Sequence, residues 1–233
     1  MKKMAIFVEG ETELWFIDCL LRKIADERKL QIVLIKATGG TRSIRRLDII
    51  SDSGEGSDKR FYIQIINSST DNRVGSDIRD NYESLSNAGY SVIIGLRDVY
   101  PISQLDIPKL RNSLQYRLKT EPITVLFILD VMEIEAWFLA EHTHFPRIHP
   151  DLTSARINLE MGFDPSCDDA QMRAHPAFDL DKIYAMEGFA YKKKRNQVQR
   201  TIDALDYAEI YLAHRLKFSD IKRLMEEVDR FFD

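Results

Sequence analysis

An α/β fold, a mostly parallel sheet of about five strands flanked by helices and followed by a C-terminal helical extension, is what the sequence predicts on three observations. Five short apolar runs rich in β-branched residues recur over the first 130 residues. Segments with helical spacing separate them, the alternation that builds βαβ units. After about residue 140 the strand signal stops and helical patterns take over.

The runs are "MAIFV" at 4–8, "QIVLIKA" at 31–37, "RFYIQII" at 60–66, "YSVIIGL" at 90–96 and "ITVLFIL" at 123–129. They are near-continuous in apolar residues, as expected of strands covered on both faces. Between them, "ETELWFIDCLLRKIADERK" carries Leu14, Ile17, Leu20, Leu21 and Ile24 on one stripe. "TRSIRRLDIIS", "GSDIRDNYESLSNAG" and "DIPKLRNSLQYRLK" are the other expected helices. The spacing divides the chain into an α/β domain over 1–140 and a region over 141–233. The latter starts as a loop-rich connection with a short helix near 151–161 and ends in two amphipathic helices, "RNQVQRTIDALDYAEIYLAHRLK" and "FSDIKRLMEEVDRFFD".

With 233 residues, 44% of them hydrophobic and 30% charged, the chain can bury a sizeable core and has no bias toward disorder. No stretch approaches the roughly 18 to 20 apolar residues of a membrane helix, and "MKKMAIFVEG" lacks the pattern of a signal peptide. The expectation is a cytoplasmic protein without a membrane partner. Cys19 and Cys167 lie far apart and outside any C-x-x-C pair, which argues against a disulfide framework or a zinc ribbon. A net charge of -4 gives no global attraction to nucleic acid, so any such binding needs a local patch. A homo-oligomer is compatible with the sequence.

The informative residues are acids at strand ends. Glu9 ends the first run and Glu13 follows one helical turn later; Asp98 follows the fourth run; Asp130, Glu133 and Glu135 follow the fifth. Open parallel sheets gather ligands beyond the carboxyl ends of their strands. Clustered carboxylates repel one another unless a cation compensates. Magnesium, or manganese in its place, suits such oxygen ligands and supports phosphodiester hydrolysis. Glu9, Glu13 and Asp98 are then catalytic and metal-ligating candidates, with Glu133 and Glu135 as further ligands. Helix-start acids stabilised by the macrodipole explain Glu9, Glu133 and Glu135 equally well. The metal reading requires that the strands lie side by side.

"FVEGETE" followed by "GLRDVYP" resembles the Toprim domain, shared by primases, topoisomerases and small nucleases of the overcoming-lysogenization-defect type. With "EIEAWFLA", "HPAFDLDKIYAM" and "YKKKRNQVQRTIDALD", the chain resembles more narrowly a group of stand-alone bacterial Toprim-like proteins. The resemblance implies a nuclease, a role in defence against phage and an ATPase partner. Glu9 matches the family's glutamate and Asp98 the first acid of its Asp-x-Asp pair. The second acid is Tyr100 here, a poor magnesium ligand. Either Glu133 or Glu135 replaces it, or the protein is a non-catalytic subunit that binds nucleic acid or the ATPase.

Two further segments are candidates for phosphate contact. "ATGGTRSIRR" would open a helix at Gly39 and Gly40 with Arg42, Arg45 and Arg46 nearby; a plain tight turn fits as well. "YKKKRNQVQR" sets Lys192, Lys193, Lys194 and Arg195 together without an acid, a nucleic-acid contact or a solvated helix start. His142, His144 and His149 are irregularly spaced and expected at the surface. Trp15, Phe16, Trp137 and Phe138 are expected to pack helices on the sheet.

Overall fold

The computed structural model describes residues 1–26, 28–40, 43–54, 59–70 and 73–233. They form two compact units. The first holds Met1–Arg97, Leu105–Leu129 and Arg223–Asp233; the second holds Asp98–Gln104 and Asp130–Lys222.

The first unit is the α/β body. Its strands are β1 (Lys2–Val8), β2 (Leu30–Gly40), β3 (Ser43–Asp52), β4 (Phe61–Asn67), β5 (Val92–Asp98) and β6 (Thr124–Asp130), in the order β3-β2-β4-β1-β5-β6. Asp98 and Asp130, the last residues of β5 and β6, already belong to the second unit. β1 is parallel to β4 and β5, and β2 is parallel to β4. From Met4 to Val8 the central β1 is buried throughout, which is why its apolar run does not alternate.

The helices of this unit are α1 (Glu11–Ala25), α2 (Val74–Asn87) and α3 (Ile107–Gln115). Leu14, Ile17, Leu20 and Leu21 of α1 are buried, as their spacing predicts. α2 and β6 crowd β5 so closely that a Cβ on Gly95 would lie 2.7 Å from the Phe127 ring of β6 and 2.8 Å from Ile78 Cδ1 of α2. The Phe231 and Phe232 rings lie 5.6 and 5.0 Å from that of Phe61.

Among the described residues there are six strands, where about five are expected, because the part of "TRSIRRLDIIS" from Ser43 on, expected in a helix, is a strand. Ser43–Asp52 is β3, antiparallel to β2. β2 pairs with β4 over Leu30–Lys36 and, along its other edge, with β3 over Val33–Gly40. Gly39 has φ +78°, and a Cβ there would stand 2.4 Å from the Ile44 carbonyl oxygen. The glycines therefore end a strand in a hairpin and do not open a helix.

The second unit is helical: α4 (Glu135–Ala140), α5 (Phe145–Ile148), α6 (Ser154–Met161), α7 (Pro176–Ala185), α8 (Arg195–Ala204), α9 (Tyr207–Glu209), a π-turn at Ile210–His214 and α10 (Arg215–Lys217). α11 (Ser219–Phe232) starts in this unit and ends in the first. The expected single helix over 195–217 is interrupted after Ala204, where the Asp206 carboxylate accepts the backbone N–H groups of Ala208 and Glu209 and starts a new helix. Trp137, Phe138, Phe145, Phe163 and Tyr184 are buried. Trp137 and Phe138, like Phe16 in the first unit, are packing residues. No helix among the described residues is long and apolar enough to cross a membrane.

Candidate functional site

In the first unit the chain leaves β1 at Val8 and enters α1 at Glu11, so Glu9 and Gly10 form a two-residue junction. Glu9 and Glu13 are 6% and 5% exposed, while Glu11 is exposed and pairs with Lys36 at 2.9 Å. Glu9 Oε1 lies 3.4 Å from Arg97 Nε, an ion pair whose side chains are 5% and 14% exposed. A guanidinium from β5 thus compensates the acid that ends β1. Glu13 folds back on the junction: a Cβ on Gly10 would stand 2.9 Å from Glu13 Oε2. Gly10 has φ -142°, which any residue adopts, so the close approach of this carboxylate is what calls for glycine.

In the second unit Asp98 is half-buried and Asp130 wholly buried. The Val99 N–H donates to the Asp130 carbonyl at 2.9 Å, and that of Tyr100 to the Met132 carbonyl at 2.9 Å. Tyr100 is 43% exposed, its ring edge-on to His175 at 5.7 Å. Glu133 accepts the Ala177 N–H at 3.1 Å, in the first turn of α7, and lies 3.3 Å from Lys193 Nζ. The helix-start reading of this acid thus holds for a helix other than its own. Glu135 is fully buried. Its Oε1 accepts the Tyr191 hydroxyl at 2.9 Å, and its Oε2 lies 3.1 Å from Lys193 Nζ. Burial pushes the Glu135 carboxyl above the usual range; Lys193 opposes this, Glu133 adds to it, and the Tyr191 hydroxyl opposes it more weakly.

β1, β5 and β6 are consecutive in the sheet, which is the topology the metal reading requires. Position along the chain gave no sign of Arg97, Lys193 and Tyr191 as partners of these acids. Arg97 is the residue before Asp98, and an apolar strand ending in Arg-Asp is the only trace of the pairing.

The basic segment is partly neutralised within its own unit. Lys192 pairs with Asp181, and Lys193 with Glu133 and Glu135. Lys194 is the N-cap of α8, and Arg195 begins that helix; both are exposed. Of the arginines after Gly40, Arg42 lies outside the described residues. Arg45 donates to the carbonyls of Gly39 at 2.9 Å and Ser68 at 2.8 Å, and pairs with Asp77. Arg46 is exposed on β3.

His144 is buried, against the surface expectation. Its Nδ1 donates to the Glu141 carbonyl at 2.5 Å and its Nε2 meets the Tyr184 hydroxyl at 3.0 Å, which in turn meets Thr201 Oγ1 at 3.0 Å. His149, Asp151 and Glu187 bring ligand-type atoms within 4.8 Å of one another, and Arg156 shares Glu187. His149-x-Asp151 is visible in the sequence, but the approach of Glu187 is not.

A scan of protein-family models and a search of curated proteins gave no match. Among solved structures, the chain is similar to the crystal structure of a hypothetical protein from Pyrococcus horikoshii OT3, with 14% identity, the whole of both chains covered and a TM-score of 0.52. At that identity the likeness shows a shared α/β fold alone.

Proposed function

We propose that the protein is a magnesium-dependent phosphodiester hydrolase acting on nucleic acid, a Toprim-like nuclease that serves in the bacterial cytoplasm in defence against phage. The observation that carries this reading is the strand order. β1, β5 and β6 are neighbours, and each leads into acids at its carboxyl end, where parallel α/β sheets gather ligands. In the first unit the candidate ligands are Glu9 and Glu13 after β1; the other candidates, Asp98 at the end of β5 and Glu133 with Glu135 after β6, belong to the second unit. Their oxygens are hard donors that fit magnesium or manganese. The space kept open at Gly10 supports the fit at Glu13. A bound ion would polarise a phosphoryl oxygen and lower the pKa of a water molecule. Arg97 holds a fixed positive charge beside Glu9, and Lys194 and Arg195 offer exposed cations for phosphate contact.

A non-catalytic subunit that binds nucleic acid or an ATPase partner is the second reading, and two observations favour it. Tyr100 stands where the resemblance expects an acid. Lys193 supplies the positive charge beside Glu133 and Glu135 that a metal would otherwise provide.

Thermal melts with increasing magnesium, on the wild type and Glu9→Gln, test the first reading. An ion bound only by the folded state raises the melting temperature as it is added. The expected result is a magnesium-dependent rise in the wild type, its loss in Glu9→Gln, and loss of nucleic-acid cleavage in the same variant. An equal rise in both proteins would remove Glu9 from the metal site. A normal rise without cleavage of any nucleic acid would favour the binding subunit.

A further inference from the structure

β3 is the outer strand of the sheet, and it is apolar where an edge is normally protected. Ile44, Leu47, Ile49 and Ile50 are 82%, 47%, 68% and 42% exposed. From Ser43 to Asp52 every residue but Arg45 is exposed. Single exposed apolar side chains are ordinary, but four in one ten-residue edge strand make a template for another strand. On its inner side β3 pairs with β2; on its outer side it meets no strand among the described residues. It contains no proline. Its register with β2 shifts twice, between Ile35↔Ile49 and Leu34↔Ser51 and between Thr38↔Arg46 and Gly40↔Ser43, which leaves Arg46–Ile49 as the regular stretch.

We propose that β3 pairs antiparallel with β3 of a second copy of this chain, centred on Leu47, so that two sheets become one across a twofold axis. The order of charges argues for a second copy over an unrelated strand. In this register Arg46 of each copy faces Asp48 of the other, and the twofold makes two opposite-charge pairs out of one short sequence. Leu47, inside the regular stretch, meets its own counterpart. In-register parallel pairing would instead set Arg46 against Arg46 and Asp48 against Asp48, which is destabilising. Arg45 does not disturb this pattern, because its guanidinium is held by Asp77 and the carbonyls of Gly39 and Ser68. Among the described residues, Asp48 accepts a hydrogen bond from the Thr38 hydroxyl at 3.2 Å. The dimer rests on no part of the proposed activity.

Sedimentation velocity of the full chain tests it with Arg46→Asp, Asp48→Arg and the double variant. The wild type is expected to sediment as a dimer at micromolar concentration. Each single reversal puts like charges opposite one another and should weaken the dimer on the order of tenfold or more, from two cross-strand pairs changing sign. The double variant restores opposite charges and should recover the dimer. An equimolar mixture of the two single variants should form a heterodimer, since one copy then carries two acids and the other two arginines. Both side chains are exposed, so recovery in the double variant separates lost pairing from damage to the fold. A wild type that stays monomeric at its highest soluble concentration, a dimer indifferent to both reversals, or single variants that dissociate without recovery in the double would each overturn the proposal.

Discussion

Glu13 shows how a single glycine can serve a carboxylate. Its Oε2 reaches a position 2.9 Å from where a Gly10 Cβ would stand, and it does so while 5% exposed. Gly10→Ala should therefore displace the far end of Glu13 without straining the backbone, since φ -142° suits alanine. The stability change should be small. Alanine restricts the unfolded chain, worth about 0.4 to 1 kcal/mol, and the shifted carboxylate opposes that gain. The magnesium-dependent rise in melting temperature is the sharper readout. It should shrink in Gly10→Ala if Glu13 is a ligand and stay at the wild-type value if Glu13 only packs. The same residue scale explains what spacing hides. Glu9 and Glu13 are legible as acids beside a strand end, but Arg97, which pairs with Glu9 at 3.4 Å, comes from a strand distant in sequence. No periodicity connects the two.

At the scale of elements, the parallel strands are legible because burial on both faces leaves each of them a run of Ile, Val, Leu and Phe. β3 is not legible for the opposite reason. It is an exposed edge, so no core selects an alternating pattern, and Ile44, Leu47 and Ile50 fall three apart as they would on a helix. Its β-branched content was the signal for a strand, and it pairs along the edge of β2 opposite β4. Helix α8 likewise ends early because Asp206 offers its carboxylate to the following N–H groups, a local bond that amphipathic spacing does not register. How tightly the elements pack is testable at Gly95. Ring atoms of Phe127 and the Ile78 methyl would lie 2.7 and 2.8 Å from an added Cβ, and neither is the loose end of an exposed side chain. Gly95→Ala should cost about 1 to 3 kcal/mol by overpacking, against the usual gain from replacing glycine in a strand. Denaturant unfolding measures it; a midpoint at or above that of the wild type would mean that α2 and β6 give way freely.

For the whole molecule, two buried ionisable groups set opposing pH slopes on stability. His214 is 1% exposed, and its pKa is lowered from 6.5 to about 4, first by burial, with Lys217 and His142 in the same direction and Glu141 and the Ala140 backbone opposing. Between about pH 6.5 and 4 the unfolded chain takes up a proton that the native imidazole refuses. Stability from this group is therefore complete above pH 6.5 and is lost as the pH falls through that window. A shift from 6.5 to about 4 corresponds to about 3 kcal/mol at most. Glu135 acts with the other sign. Its carboxyl is raised by burial, so above the ordinary carboxylate pKa the native state keeps a proton that the unfolded chain has released. Its contribution is complete below that value and is lost as the pH rises through the native pKa. Unfolding free energies from pH 4 to 8 for the wild type, His214→Gln and Glu135→Gln separate the two, with slopes compared in place of absolute values because each variant shifts the baseline. His214→Gln should flatten the decline on the acid side, and Glu135→Gln the decline toward neutral pH. A His214→Gln protein that keeps the full wild-type slope between pH 6.5 and 4 would mean that acid unfolding is driven elsewhere, by carboxylates such as Glu141, whose pKa is lowered because hydrogen bonds from His144 and Thr143 outweigh its burial.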